Sequence, residues 1–247
     1  MQVDLSNDGP VTILLDSEER GGPASGAGAL SAGERQAVVA ADSPIRRVPV
    51  VLASASPRRR ALLGELGLRF DVEPTDVDEE ADLPEGAVEQ ARVLAERKAR
   101  AAAAKRTDAL VIAADTIVVL GERTYGKPRS TGEAIRMLTE LAGREHVVHT
   151  GVCVAAPGAR SFHGRVISTR VTFVPLGAEE IRRYVATGEP MDKAGAYAIQ
   201  GRGALLVERI EGDWSNVVGL PVGATVDLME EALRAGDCLS PGAPATR

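Results

Sequence analysis

The most constraining stretch is Ala109 to Leu120, ALVIAADTIVVL, an apolar run that carries a carboxylate, Asp115, and a hydroxyl, Thr116, at its middle. It is too short to cross a bilayer and rich in β-branched residues, so it reads as a buried strand. An ionised carboxylate inside a core is costly unless a cation, a metal ion or several donors compensate it. Either Asp115 finds such partners elsewhere in the chain, or Asp-Thr is a solvated turn joining two strands of a hairpin.

The 247 residues, 44% of them hydrophobic, suffice for one sizeable domain or two small ones. A net charge of -6 argues against a broad nucleic-acid or anionic-membrane surface, yet leaves room for a local basic pocket that takes a small anion. No stretch is long enough to span a bilayer, and MQVDLSNDGP lacks the basic and apolar regions of a secretory signal. Cys153 and Cys238 stand at no metal-binding spacing and make no disulfide framework, which fits a reducing cytoplasm; Cys153 reads as a small core residue. Lysine is scarce, with Lys98, Lys105, Lys127 and Lys193 set against 25 Arg. Such a bias favours Lys where a compact ammonium is needed and a planar guanidinium does not fit.

Residues 1–46, rich in Gly, Ala and Ser, read as a mobile or poorly packed extension, 47–236 as the folded domain and 237–247 as a tail. In the domain VPVVLAS is a strand, and Ser56-Pro57 caps and opens the helix SPRRRALLGELGL. RFDVEPTDVDEE runs from strand into acidic loop. A long helix follows from Glu85 to Lys105, with Val88, Ala91, Ala95, Ala99 and Ala102 as its apolar stripe. Ser130 and Glu133 read as a capping box for TGEAIRMLTEL, closed by Gly143. HVVHTGVCVAA and SFHGRVISTRVTFVP, separated by Pro157-Gly158, suggest an antiparallel pair. The helix AEEIRRYVAT leads to the loop GEPMDKAGAYAIQGRG; a strand ALLVERI, the turn EGDWSN and a helix from Val222 to Leu233 follow. Strands alternating with helices, some of them antiparallel, make this an α/β chain with a mixed sheet.

Four constellations carry chemistry. Ser54 and Ser56 precede Arg58, Arg59 and Arg60 at a helix start, where cations oppose the macrodipole unless an external anion sits there. Gly121 to Lys127 matches a P-loop up to its lysine, but Pro128 stands where the Mg²⁺-binding hydroxyl belongs, so the match is false. Lys127 is then either an exposed turn lysine or a rigid point charge for a phosphate. Asp76, Asp78, Glu79 and Glu80 form either a solvated acidic loop or, with Asp115, an oxygen-ligand set for Mg²⁺ or Mn²⁺. The loop of residues 189–203 combines glycines with Asp192, Lys193, Tyr197 and Gln200, a mixture suited to closing on a ligand; Gln200 can both donate to and accept from a base edge. Lys98, on the buried side of its helix, either snorkels at the stripe's edge or aims an ammonium into a site. His146, His149 and His163 show no metal-binding pattern.

Taken in order, LASASPRR, DVDEE, LAERKA, AADTIV, GKP, DKAGAYAIQGRG and NVVGLP resemble the Maf family of nucleoside triphosphate pyrophosphatases. The loop pattern is similar to the branch acting on dTTP and UTP; the branch acting on 7-methyl-GTP and a non-hydrolysing nucleotide-binding regulator are the alternatives. The resemblance implies a mixed twisted sheet with flanking helices in two lobes around a central cleft. It also implies a divalent metal, Mg²⁺ or Mn²⁺, a homodimer and a cytoplasmic setting, with no nucleic-acid or membrane partner. By position it implies Asp115 as the catalytic proton acceptor and Arg58, Thr116 and Gln200 as substrate-discriminating residues. Ser54, Ser56, Arg59, Lys98, Lys127, Asp192 and Lys193 would bind substrate and phosphate, and Asp78, Glu79 and Asp115 the metal. Ala198 departs from the family's more frequent glycine there, a change expected to stiffen the loop.

Overall fold

The structure, a computed structural model, describes residues 39–40, 42–158 and 161–237. Residues 1–38, Cys238 and the rest of the tail therefore lie outside the described residues.

Asp115 and Thr116 make no turn: β3 (Leu110–Leu120) is one continuous strand. It runs parallel to β1 (Val50–Leu52), which is parallel to the edge strand β2 (Asp71–Val72). On its other side β3 pairs antiparallel with β5 (Glu145–Ala155), which pairs antiparallel with β6 (Phe162–Phe173), and that with β7 (Val207–Glu211). The short β4 (Arg123–Tyr125) folds back on the end of β3 through Gly121, whose φ of 62° a glycine adopts without strain. The order β2-β1-β3-β5-β6-β7 gives the mixed sheet expected from the sequence.

Residues of β3 alternate between two apolar layers, as strand geometry requires. Val111 and Ala113 face α2 (Ala87–Ala103), packing with Ala95, Ala99, Ala102 and Cys153 in a layer of small side chains. Leu110, Ile112, Ala114 and Val118 face the opposite layer. That layer is built from α1 (Pro57–Glu65), α3 (Thr131–Leu141), α4 (Ala178–Ala186) and α6 (Val222–Asp237). The same alternation sends Asp115 toward α2 and Thr116 the other way.

Local chemistry sets the helix ends. The Ser56 hydroxyl accepts from the backbone of Arg59 with Pro57 at the first turn, as the sequence indicates. Ser130 caps α3 through the Glu133 backbone N–H, but the Glu133 carboxylate reaches back to Arg129 N–H, one residue outside the expected box. The expected turn at EGDWSN contains a helix, α5 (Trp214–Val218), because the Asp213 carboxylate accepts from the backbones of both Ser215 and Asn216.

Two sequence expectations are corrected here. Val88, placed in the apolar stripe of α2, is exposed; it sits in the first turn, ahead of the contact with the sheet. The poorly packed extension does not reach residue 46: Val39 and Ile45 are buried in the main core. Arg46 fastens this segment by donating to the carbonyls of Val39, Ala40 and Gly67.

Candidate active site

A cleft of about 790 Å³ opens around the middle of β3, lined by the start of α1, the acidic loop after β2, α2, the β4–α3 loop, the loop of residues 189–203 and the end of α5. Ser54, Ser56, Arg58, Arg59, Glu79, Lys98, Asp115, Thr116, Lys127, Asp192, Lys193 and Gln200 all line it. Asp78 is the exception. Its carboxylate accepts from the backbones of Glu80 and Ala81, which hold its pKa below the usual range and turn it into the loop's own brace.

Asp115 has the partner its position requires. The Lys98 ammonium, on a side chain only 10% exposed, lies 2.6 Å from Oδ1 of Asp115 and 2.7 Å from Oε1 of Glu79. Lys98 therefore aims into the site rather than snorkelling away from it. Burial pushes the Glu79 carboxyl up, but the Lys98 hydrogen bond and charge, helped by Lys127 and Arg59, bring it below its ordinary value. One ammonium thus keeps two carboxylates side by side in the cleft. Among the described residues no group of three or more His, Cys, Asp and Glu side chains could hold a metal ion. Of the expected set, Glu79 and Asp115 meet at Lys98 in the cleft, whereas Asp78 does not line it. Two carboxylates fit Mg²⁺, which takes one or two from a protein and completes its shell with phosphates and water.

The arginines are more committed to protein than their sequence suggests. Arg59 donates to the Gly219 carbonyl at 2.7 Å, to the Ser54 hydroxyl at 3.3 Å and to the Thr116 hydroxyl at 3.0 Å. Burial lowers its pKa, with the Asp115 charge opposing that shift. Arg58 is held by the Asp192 carboxylate at 2.9 Å, and Lys193 holds the same carboxylate from the other side. Burial pushes Asp192 up, but these two cations outweigh it and keep the group below its ordinary value. Asp192, expected to bind substrate, lines the cleft, where it bridges two cations and latches its loop to the start of α1. Lys127 reaches the same cleft, and the Gly126 carbonyl beside it accepts from Gly195 N–H of that loop at 3.1 Å.

The loop itself is three short 3-10 turns, Glu189–Asp192, Ala194–Ala196 and Gly201–Leu206. Gly195 has a φ of 71° and Ala196 one of 60°, so consecutive residues hold the left-handed conformation. Ala198 has no positive φ and donates its N–H to the Tyr184 hydroxyl, so its methyl group is accommodated without strain. Tyr197 lines the cleft while its hydroxyl meets Nε2 of the buried His146 at 2.8 Å. Reading the sequence missed Gln90, Arg129 and Gly219 as cleft residues. Gly219 was within reach, because NVVGLP stood out as a motif; Gln90 and Arg129 carry no local signal.

The family model described as Maf-like protein matches residues 49–232. A dTTP/UTP pyrophosphatase of Myxococcus xanthus is 51% identical over 183 residues, which is 74% of this chain and 92% of that protein. One of Moorella thermoacetica is 55% identical over 185 residues, covering 73% and 93%. A third, of Anaeromyxobacter sp., is 49% identical over 199 residues, covering 79% and 95%.

Proposed function

Because this chain belongs to the Maf family, we propose that it hydrolyses dTTP and UTP to the nucleoside monophosphate and pyrophosphate. The observation that carries the reading is the Lys98-held pair of Asp115 and Glu79, on the wall of a cleft whose other walls bring Arg58, Lys127 and Lys193. Relatives at about half identity carry the same activity in their names.

The chemistry follows from those groups. Asp115, hydrogen-bonded to Lys98, accepts a proton from a water that attacks the α-phosphorus. The bond from that phosphorus to the oxygen bridging to the β-phosphate breaks, and pyrophosphate departs with its charge held by Lys127, Lys193 and Arg58. Thr116 and Gln200 contact the nucleoside. Glu79 and Asp115 would hold a divalent metal, Mg²⁺ or Mn²⁺, which when bound supplies charge neutralisation of the triphosphate. Pro128 withholds the hydroxyl that would organise γ-phosphate transfer, in keeping with cleavage further in. The catalytic unit extends from Val39 to Asp237, acting as a cytoplasmic homodimer; light scattering tests the dimer.

Incubation with Mg²⁺ and each of dTTP, UTP, CTP and 7-methyl-GTP tests the reading. Pyrophosphate release fastest from dTTP and UTP, abolished by chelation, supports it. Orthophosphate as the product, or a preference for 7-methyl-GTP, overturns it.

A further inference from the structure

Thr116 is hydrogen-bonded on two sides by the protein itself. Its Oγ1 accepts from Nη2 of Arg59 at 3.0 Å and lies 3.0 Å from Oγ1 of Thr150, its cross-strand partner on β5. Thr150 is fully buried, and its hydroxyl donates to the Asn216 backbone carbonyl at 2.9 Å. A hydroxyl has one proton to give, and a carbonyl oxygen has none. The Thr150 proton is committed to Asn216, so the proton between the two threonines belongs to Thr116. Arg59 occupies one lone pair of Thr116 Oγ1. What remains for the cleft is a single acceptor lone pair.

Asn216 cannot easily yield. It is fully buried, and its side-chain amide donates to the Val148 carbonyl at 3.0 Å and to the Thr169 hydroxyl at 2.9 Å. The polarity of Thr116 is therefore set from behind by a fixed carbonyl. An ionised phosphate oxygen, which brings no proton, finds no bond at this hydroxyl. A nucleotide's donors are an N–H of its base or a hydroxyl of its sugar.

We propose that Thr150 is a positioning residue that makes Thr116 an obligate acceptor. Thr116 then selects uracil and thymine, which carry a proton on ring nitrogen 3, over cytosine, whose nitrogen there is an acceptor. This rests on the reading that Thr116 contacts the nucleoside base. Removing the Thr150 hydroxyl frees the Thr116 proton to turn toward the cleft, where it can meet an acceptor instead.

The test is kcat/KM for UTP and CTP on the wild type, Thr150→Val and Thr150→Ser. The UTP-over-CTP ratio is expected to fall about tenfold in Thr150→Val, the scale of one hydrogen bond gained or lost, and to recover in Thr150→Ser. An unchanged ratio, or an equal loss on both substrates, overturns the inference, since a merely structural Thr150 leaves selectivity alone. Two analogues on the wild type need no variant to fold: 3-methyl-UTP is expected to lose about tenfold or more, and 3′-deoxy-UTP to be turned over almost as well as UTP. The reverse pattern assigns the donor to the sugar and overturns the base selection. A wild type that does not distinguish UTP from CTP instead overturns the underlying reading of base preference, a result separate from an unchanged ratio in the variant.

Discussion

Asp115 and Gly151 face each other across the β3–β5 ladder, and a Cβ at Gly151 would stand 2.2 Å from the Ala91 carbonyl oxygen of α2. The helix that carries Lys98 lies against the sheet because this position has no side chain. Closeness at Gly151 and the 2.6 Å contact between Lys98 and Asp115 are two results of one approach.

Gly151→Ala forces a methyl group into helix backbone, which no rotamer change relieves. We expect a loss of about 3 kcal/mol of stability or more, the upper range for overpacking. Activity at a temperature where the variant stays folded should fall as well, because α2 lifts and Lys98 retreats from Asp115. A thermal melt and a pyrophosphate-release assay on the same sample check both.

Asp115→Asn keeps the shape of the side chain but removes its ability to accept the water's proton. Turnover should drop by about 10³-fold, within the range for a lost general base. The melting temperature should change little, since Lys98 retains Glu79. Retention of most of the wild-type rate would remove Asp115 from the role of base.

Lys98→Met leaves two carboxylates facing each other without their shared cation. Breaking a buried pair from one side costs about 3 kcal/mol, taken at the low end because the Glu79 side chain is 52% exposed. Denaturant unfolding should show that loss. Lys98→Met combined with Glu79→Gln should recover part of it, because one of the two like charges is gone.

His146, buried behind the cleft residue Tyr197, supplies a pH dependence of stability. Burial holds its pKa down to about 4 from the ordinary 6.5, against a smaller upward pull from the Arg144 backbone. Below pH 6.5 the unfolded chain takes up a proton that the folded chain refuses until about pH 4. Stability from this group is complete above that window and is lost through it as the pH falls, by about 3 kcal/mol in all. His146→Gln, which can still meet the Tyr197 hydroxyl, should flatten the melting temperature between these limits.

The sequence carried the site further than it carried the topology. Asp115, Lys98, Lys127 and the Gln200 loop were legible because each breaks a local rule: a charge in an apolar strand, a lysine on an apolar face, a near P-loop ended by proline, a glycine loop rich in polar groups. Their convergence depends on β3 running between β1 and β5, and strand order leaves no mark in any one segment. The acidic loop shows the same limit. Asp78 and Glu79 are adjacent and chemically alike, yet one braces its own backbone and the other meets Lys98.

Short elements were the harder part. The helix Trp214–Val218 depends on Asp213 serving two backbone donors, and polar residues of that kind read equally well as a turn. Residues 39–40 and 42–46 look low in complexity, but two apolar side chains, Val39 and Ile45, are buried in the core.

The bond from Arg59 to the Gly219 carbonyl joins positions 160 apart in sequence. Arg59 in turn holds Thr116 and Ser54, so this wall of the cleft is braced by a residue that a ribosome adds long after β3. A nascent chain that has already exposed Asp115 and Lys98 still lacks that brace. The bracing of Thr116 through Arg59 thereby has to wait until residue 219 has been added.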